Sequence, residues 1–179
     1  KEEAKVSVFD HGLMYGDGIF ETLRSYNGNI FRLDDHLDRL FISAKLINLA
    51  IPQKRGDLKE ILNQSLRINS LKEAYIRISV TRGEGDIGLD PDLCKNPTII
   101  VISKPFVPYQ EGLYIEGISL IVSKVRRVPQ EALDPTIKSL NFLNNIMARI
   151  SAKKEQAFDA LMLNTEGYVT ETTTANIFI

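Results

Sequence analysis

Lys138 is the only charged side chain between Asp134 and Arg149, in the stretch DPTIKSLNFLNN. Its neighbours there are Ile137, Leu140, Phe142 and Leu143. An ammonium buried without a partner is costly and tends to lose its proton, and a neutral lysine amine is a nucleophile that condenses with carbonyls. The same spacing also suits a lysine whose stem lies on apolar surface while its head reaches water. Tyr75 and Arg77, in AYIRISVTRG, are two residues apart, so a strand would put both on one face. There a phenol and a guanidinium could together hold a carboxylate. Arg39, in DDHLDRLF, follows Asp35 by four residues, the spacing of an ion pair on a solvated helix face. Its planar fork would equally suit phosphate oxygens. Glu171, in YVTETTTANIF, reads by itself as a solvated group at a strand end. The threonines after it, Thr172, Thr173 and Thr174, offer hydroxyls for hydrogen bonds or β-branched bulk for a strand.

The elements around these residues are legible from periodicity. SVFDHGLMYGDGIFETLRSYNGNIFRL predicts a glycine-rich turn and two strands, joined at Asn27-Gly28 by a tight hairpin turn. Leu37, Leu40, Phe41, Ala44 and Ile47 recur at helical spacing behind aspartates that could cap a helix. A second helix is expected over 56–68, a half-buried strand in AYIRISVTRG ending in a glycine-rich loop, and a central strand at PTIIVIS. LYIEGISLIVSKV predicts a further strand. VRRVPQEALDP, polar and with two prolines, reads as a linker. A helix is expected from Ser139 to about Glu155, with Lys138 at its start, followed by strands in AFDALMLN and YVTETTTANIFI. The organisation expected is a small α/β domain over 1–125, a connector over 126–135 and the beginning of a larger domain over 136–179. Clefts between domains are favoured places for cofactors.

The chain has 179 residues, 44% hydrophobic and 25% charged, with 22 basic and 23 acidic side chains for a net charge of −1. Such near-neutral composition gives no electrostatic reason to expect nucleic acid or a membrane surface. No apolar run approaches the roughly 18–20 residues that span a bilayer. The single cysteine, Cys94, excludes an internal disulfide and suits a reducing cytoplasm. His11 and His36 lack metal-ligand or triad spacing, so no metal is expected and both read as structural. The missing initiator Met and the ending on NIFI point to a piece of a longer protein.

IKSLNFLNNIMA followed by ALMLNTEGYVTETTTANIF resembles the class IV aminotransferases, the fold-type IV enzymes that depend on pyridoxal phosphate. DHGLMYGDGIFETLR and HLDRL match the same family upstream, in the family's order, so the resemblance covers essentially the whole chain. It implies a two-domain fold of mixed α+β and α/β character, like that of D-amino-acid aminotransferase. The chain would hold the first domain and the start of the second, without the C-terminal part and its further phosphate-binding loop. It also implies that Lys138 carries pyridoxal 5'-phosphate as a Schiff base and moves the proton during transamination. Glu171 would bind the pyridine nitrogen, Arg39 the phosphate, and Thr174 would be a further cofactor contact. Tyr15, Phe20, Tyr75, Arg77 and Phe142 would line the substrate pocket. Glu21 also matches a family glutamate.

The YIR of Tyr75 and Arg77, and the following TRGEGDIGLDP, are most similar to branched-chain aminotransferases. Those enzymes move the amino group of leucine, isoleucine or valine to 2-oxoglutarate. D-amino-acid transaminases tend to carry an Arg and a His after TRG, where this chain has Glu84, Gly85 and Asp86. Aminodeoxychorismate lyases share the lysine and glutamate motifs, and both activities remain alternatives on the same scaffold, as does a non-catalytic relative. Two positions depart from the branched-chain pattern: Phe142 stands where a tyrosine is usual, and TETTTAN replaces TEGTGEN. By resemblance the protein would be a homodimer or larger homo-oligomer, cytoplasmic, with amino acids and 2-oxo acids as its small-molecule partners.

Overall fold

The computed structural model describes residues 3–178. After the single turn α1 (His11–Met14) comes strand β1 (Gly18–Tyr26), which turns at Asn27-Gly28 into β2 (Asn29–Ile30). Both turn residues have positive φ, 50° and 83°, as a two-residue hairpin matched to strand twist requires. Helices α2 (Leu33–Leu46) and α3 (Arg55–Ile68) follow, then β3 (Ala74–Thr81) and β4 (Thr98–Pro105). The four strands form an antiparallel sheet in the order β2-β1-β3-β4. Among the described residues β4 is therefore an edge strand, where a central one was expected.

Alternation gives this sheet two different faces. Ile19, Leu23, Ile76, Ile78 and Val80 are buried against Leu37, Leu40 and Ala44 of α2 and Leu58, Leu62 and Leu66 of α3. Burying each of these leucines contributes about 1.5–3 kcal/mol. The opposite face of β1 and β3 carries Phe20, Thr22, Arg24, Tyr75, Arg77 and Ser79, paired across the strands as Phe20 with Ser79, Thr22 with Arg77 and Arg24 with Tyr75. The aspartates expected to cap α2 lie instead in its first turn. Asp34 binds Arg55 and Lys59, and Asp35 binds Arg32, so Asp35 is not the partner of Arg39.

The remaining elements are α4 (Glu111–Ile115), β5 (Leu120–Val122), α5 (Leu143–Lys154), β6 (Asp159–Leu163) and β7 (Val169–Thr172). β5 runs parallel to β6, and β7 antiparallel to β6. Ala148 and Ala152 of α5 pack on Ala160 and Met162 of β6, with Ile121 and Val125 beside them.

The chain groups into two compact units: residues up to Val107 together with Thr136–Leu140, and Pro108–Pro135 together with Asn141 onward. This differs from the boundary expected at residue 125. Hydrogen bonding decides it, because β5 is a strand of the sheet that contains β6. Nor is 126–135 a free linker: the Arg127 amide donates to the Leu163 carbonyl at 2.8 Å. Lys138 does not begin a helix either. It lies in a tight turn five residues before α5, where the Ser139 amide donates to the Ile137 carbonyl at 2.8 Å.

Candidate active site

Lys138 is held by its backbone. Its carbonyl accepts from the Phe20 amide at 2.9 Å, the Leu140 amide donates to the Gly18 carbonyl at 2.9 Å, and Ile19 and Ser139 form an antiparallel bridge. The segment thus adds to the free edge of β1, beyond the reach of the short β2. On the helix side the Lys138 amide donates to the hydroxyl of Ser43 in α2, at 3.2 Å. Ser43 is fully buried. Neither Ser43 nor the strand-edge pairing was visible in the sequence, because both join residues about a hundred positions apart. Gly18 permits the approach, since a Cβ there would press on Leu140 and on the β3 backbone.

The half-buried side chain of Lys138 ends with Nζ 4.7 Å from the centre of the Phe20 ring. Arg77 places its guanidinium carbon 3.7 Å from the same ring centre, and its Nε donates to Ser79 at 3.2 Å. Both distances fall within cation–π range. Three of the expected residues, Phe20, Arg77 and Lys138, are therefore brought together on one buried aromatic ring. Tyr75 lies on the same strand face as Arg77, more exposed at 37%. Tyr15 sits after α1, in a loop closed at one end by Asp10, which accepts from Gly12, Thr81 and Thr98. At the other end Arg82 donates to Asp17 and to the carbonyls of Ile47 and Asn48. The Tyr15 hydroxyl accepts from the Gly88 amide at 3.1 Å, which ties this loop to the glycine-rich segment after β3.

Arg39 pairs with Glu21. The Glu21 carboxylate has no solvent exposure, and it accepts from Arg39 through Nε and, at 2.7 Å, through Nη2. It also accepts from His36 Nδ1 at 2.8 Å. A carboxylate offers only acceptors, so Nδ1 must carry a proton. The 3.5 Å approach of Arg39 Nη2 to that nitrogen is then a donor facing a donor, not a hydrogen bond. Burial pushes the Glu21 carboxyl up, but the bonds from Arg39 and His36 outweigh it and hold the group below its ordinary value. Arg39 and Ser43 are four residues apart on α2, about 6 Å along the axis. The guanidinium therefore belongs to the same helix face that holds Lys138.

In the second unit, Glu171 is in β7 opposite Met162, with its carboxylate 2.8 Å from Arg127 Nε. Arg127 Nη1 also donates to Asn145 at 3.1 Å, and Asn145 donates to the Thr173 carbonyl at 2.9 Å. Arg127 lies in the stretch expected as a connector, where the sequence signals no role for it. The threonines are used structurally: Thr173 donates to buried Asp159 at 2.6 Å, and Thr172 closes a turn with Ala175. Burial pushes the Asp159 carboxyl up, yet the Thr173 hydroxyl and Ala160 amide bring it below the usual range. Thr174 is exposed, and Phe142 is the half-buried residue that starts α5. A depression along the loop after β3, lined by Glu84, Leu93, Lys95, Asn96 and Thr98, contains none of the expected site residues.

Residues 18–179 match the family described as Amino-transferase class IV. Over its whole length the chain is 47% identical to a putative branched-chain-amino-acid aminotransferase of Methanocaldococcus jannaschii, of which it covers 61%. It is 33% identical to a D-alanine aminotransferase of Listeria monocytogenes, again covering 61% of that protein. The branched-chain aminotransferase of the archaeon Thermoproteus uzoniensis, solved with norvaline, superposes with a TM-score of 0.88 at 34% identity, over 97% of this chain and 59% of that one. The chain thus spans about three-fifths of the length of the relatives it matches. With a family match across nearly all of its residues, and the mixed α/β architecture of fold-type IV enzymes, the chain belongs to the class IV aminotransferases.

Proposed function

We propose that the whole protein is a transaminase that uses pyridoxal 5'-phosphate to move the amino group of leucine, isoleucine or valine to 2-oxoglutarate. The observation that carries this reading is the setting of Lys138. Its backbone is pinned from three directions and its amine rests on a buried ring beside a guanidinium. By the family resemblance Lys138 would hold the cofactor's carbonyl carbon, Arg39 its phosphate and Glu171 its ring nitrogen, with Thr174 a further contact. When bound, the cofactor supplies the electron sink that makes the amino acid's Cα proton removable. Lys138 then takes and returns that proton as general base and acid. Glu171, paired with Arg127, would accept a hydrogen bond from the cofactor's ring nitrogen. Arg77 and Tyr75 would bind the substrate carboxylate. Phe20, Tyr15 and Phe142 would bound the pocket, and Phe142 lacks the hydroxyl with which a tyrosine would bond the cofactor ring.

Branched-chain specificity is supported by the Tyr75–Arg77 strand pattern and by the 47% identical relative. The D-alanine aminotransferase similarity favours a second reading, a D-amino-acid transaminase on the same residues. A homodimer in the cytoplasm belongs to the same proposal, as do amino acid and 2-oxo acid partners. Among the described residues no helix is long and apolar enough to cross a membrane. The test is to mix the full-length protein with pyridoxal phosphate and reduce it with borohydride. A pyridoxyl adduct on Lys138 is the expected result, and its absence would sink the mechanism. Presenting L-leucine and D-alanine separately and following the visible absorbance of the bound cofactor then decides between the two substrates.

A further inference from the structure

We propose that Glu21 is a positioning residue for the phosphate end of the cofactor, acting through Arg39. This rests on the reading that Arg39 holds the phosphate. The geometry is asymmetric: the Glu21 carboxylate is completely buried, whereas Arg39 is 51% exposed and His36 22%. Here the anion is sunk in β1, among Ile19 and Leu23 on the helix-facing side, and the cation points outward. Apolar residues in place of a buried charge pair often leave a fold no less stable. An apolar residue at 21 could not fix the orientation of a long, rotamer-rich arginine.

The guanidinium has five N–H donors in a rigid plane. Glu21 engages Nε and Nη2, one edge of that plane, and so fixes the direction of the donors on Nη1. His36, one turn earlier on α2, braces the same carboxylate and keeps it from swinging with the arginine. The aimed edge lies one helical turn from Ser43, which holds the Lys138 amide. An anion whose other end is bound at Lys138 would meet donors already oriented, without freezing the arginine as it binds.

The experiment uses the full-length apoprotein and compares its dissociation constants for pyridoxal 5'-phosphate and for pyridoxal, which lacks the phosphate. Glu21→Gln is expected to weaken pyridoxal phosphate about tenfold, the equivalent of the rotamer freedom regained by Arg39, and to change pyridoxal less than about twofold. Arg39→Met is expected to show the same selective loss, and adding Glu21→Gln to it should cost nothing more. Equal weakening of both aldehydes in Glu21→Gln, or of neither, would overturn the proposal and leave Glu21 a structural residue. If Glu21→Gln does not fold, Glu21→Asp provides the same comparison, since it keeps the charge and withdraws the carboxylate from Arg39. The underlying reading fails separately: if Arg39→Met shows no selective loss, Arg39 does not hold the phosphate.

Discussion

Arg127 and Glu171 are each about three-quarters buried, so each depends on the other for charge compensation. Removing one leaves the other partly desolvated without its counter-charge, which costs more than the pair itself contributes. A cycle of Arg127→Met, Glu171→Gln and the double variant, followed by urea unfolding of the full-length protein, is expected to give a coupling of about 0.5–3 kcal/mol. Glu21 makes a prediction about acid. Its carboxyl is held below the ordinary 4.5, so its ionised bonds contribute stability that is fully present above about pH 4.5. That contribution is lost as pH falls further through the folded-state value. Melting temperatures measured on the acid side of 4.5 should therefore fall less steeply in Glu21→Gln than in the parent. Gly83 is a third case. Its φ is +97°, and a Cβ there would strike the carbonyl of Asn96. Gly83→Ala is expected to cost at least about 1–2 kcal/mol from the left-handed backbone alone, read by urea denaturation.

At the scale of elements, α2 does more than cover the sheet. Its Leu37 and Leu40 make the core, while Arg39 and Ser43, on an adjoining face, reach the buried carboxylate of β1 and the amide of Lys138. Ser43→Ala removes a buried acceptor without changing the apolar face, and an orphaned amide costs about 1–3 kcal/mol. Hydrogen exchange at the Lys138 amide should then accelerate, while amides in α3 keep their protection. Unchanged exchange at Lys138 would mean that the strand edge alone holds the segment. In α3, Leu62 has no exposure, and Leu62→Ala should cost about 2–5 kcal/mol by chemical denaturation.

For the molecule as a whole, the first unit is assembled from two stretches of chain, since Thr136–Leu140 completes a sheet whose other strands end at Pro105. A chain stopped at Val107 would leave the amide of Phe20 and the carbonyl of Gly18 without their partners. An unpaired sheet edge invites pairing with another copy. Such a truncated chain is expected to unfold at lower urea and to self-associate as concentration rises, measured by sedimentation. A monomer equal in stability to the first unit of the full-length protein would show that the added segment contributes only position to Lys138.

The local elements were written in the sequence because short-range physics sets them. Asn27-Gly28 supplies the positive φ of a hairpin, Leu37, Leu40 and Ala44 mark the buried stripe of a helix, and Tyr75 and Arg77 share a face through the two-residue period of a strand. The family too was legible, from ordered motifs around Lys138 and Glu171. What tertiary structure alone decided were the contacts between distant residues: Ser43 with Lys138, Phe20 with Arg77 and Lys138, Glu21 with Arg39, and Arg127 with Glu171. The sequence expectation that Lys138 opens a helix failed for the same reason. Whether a short segment becomes helix, edge strand or linker depends on which unpaired backbone groups it meets, and no local pattern encodes the address of a hydrogen-bond partner a hundred residues away.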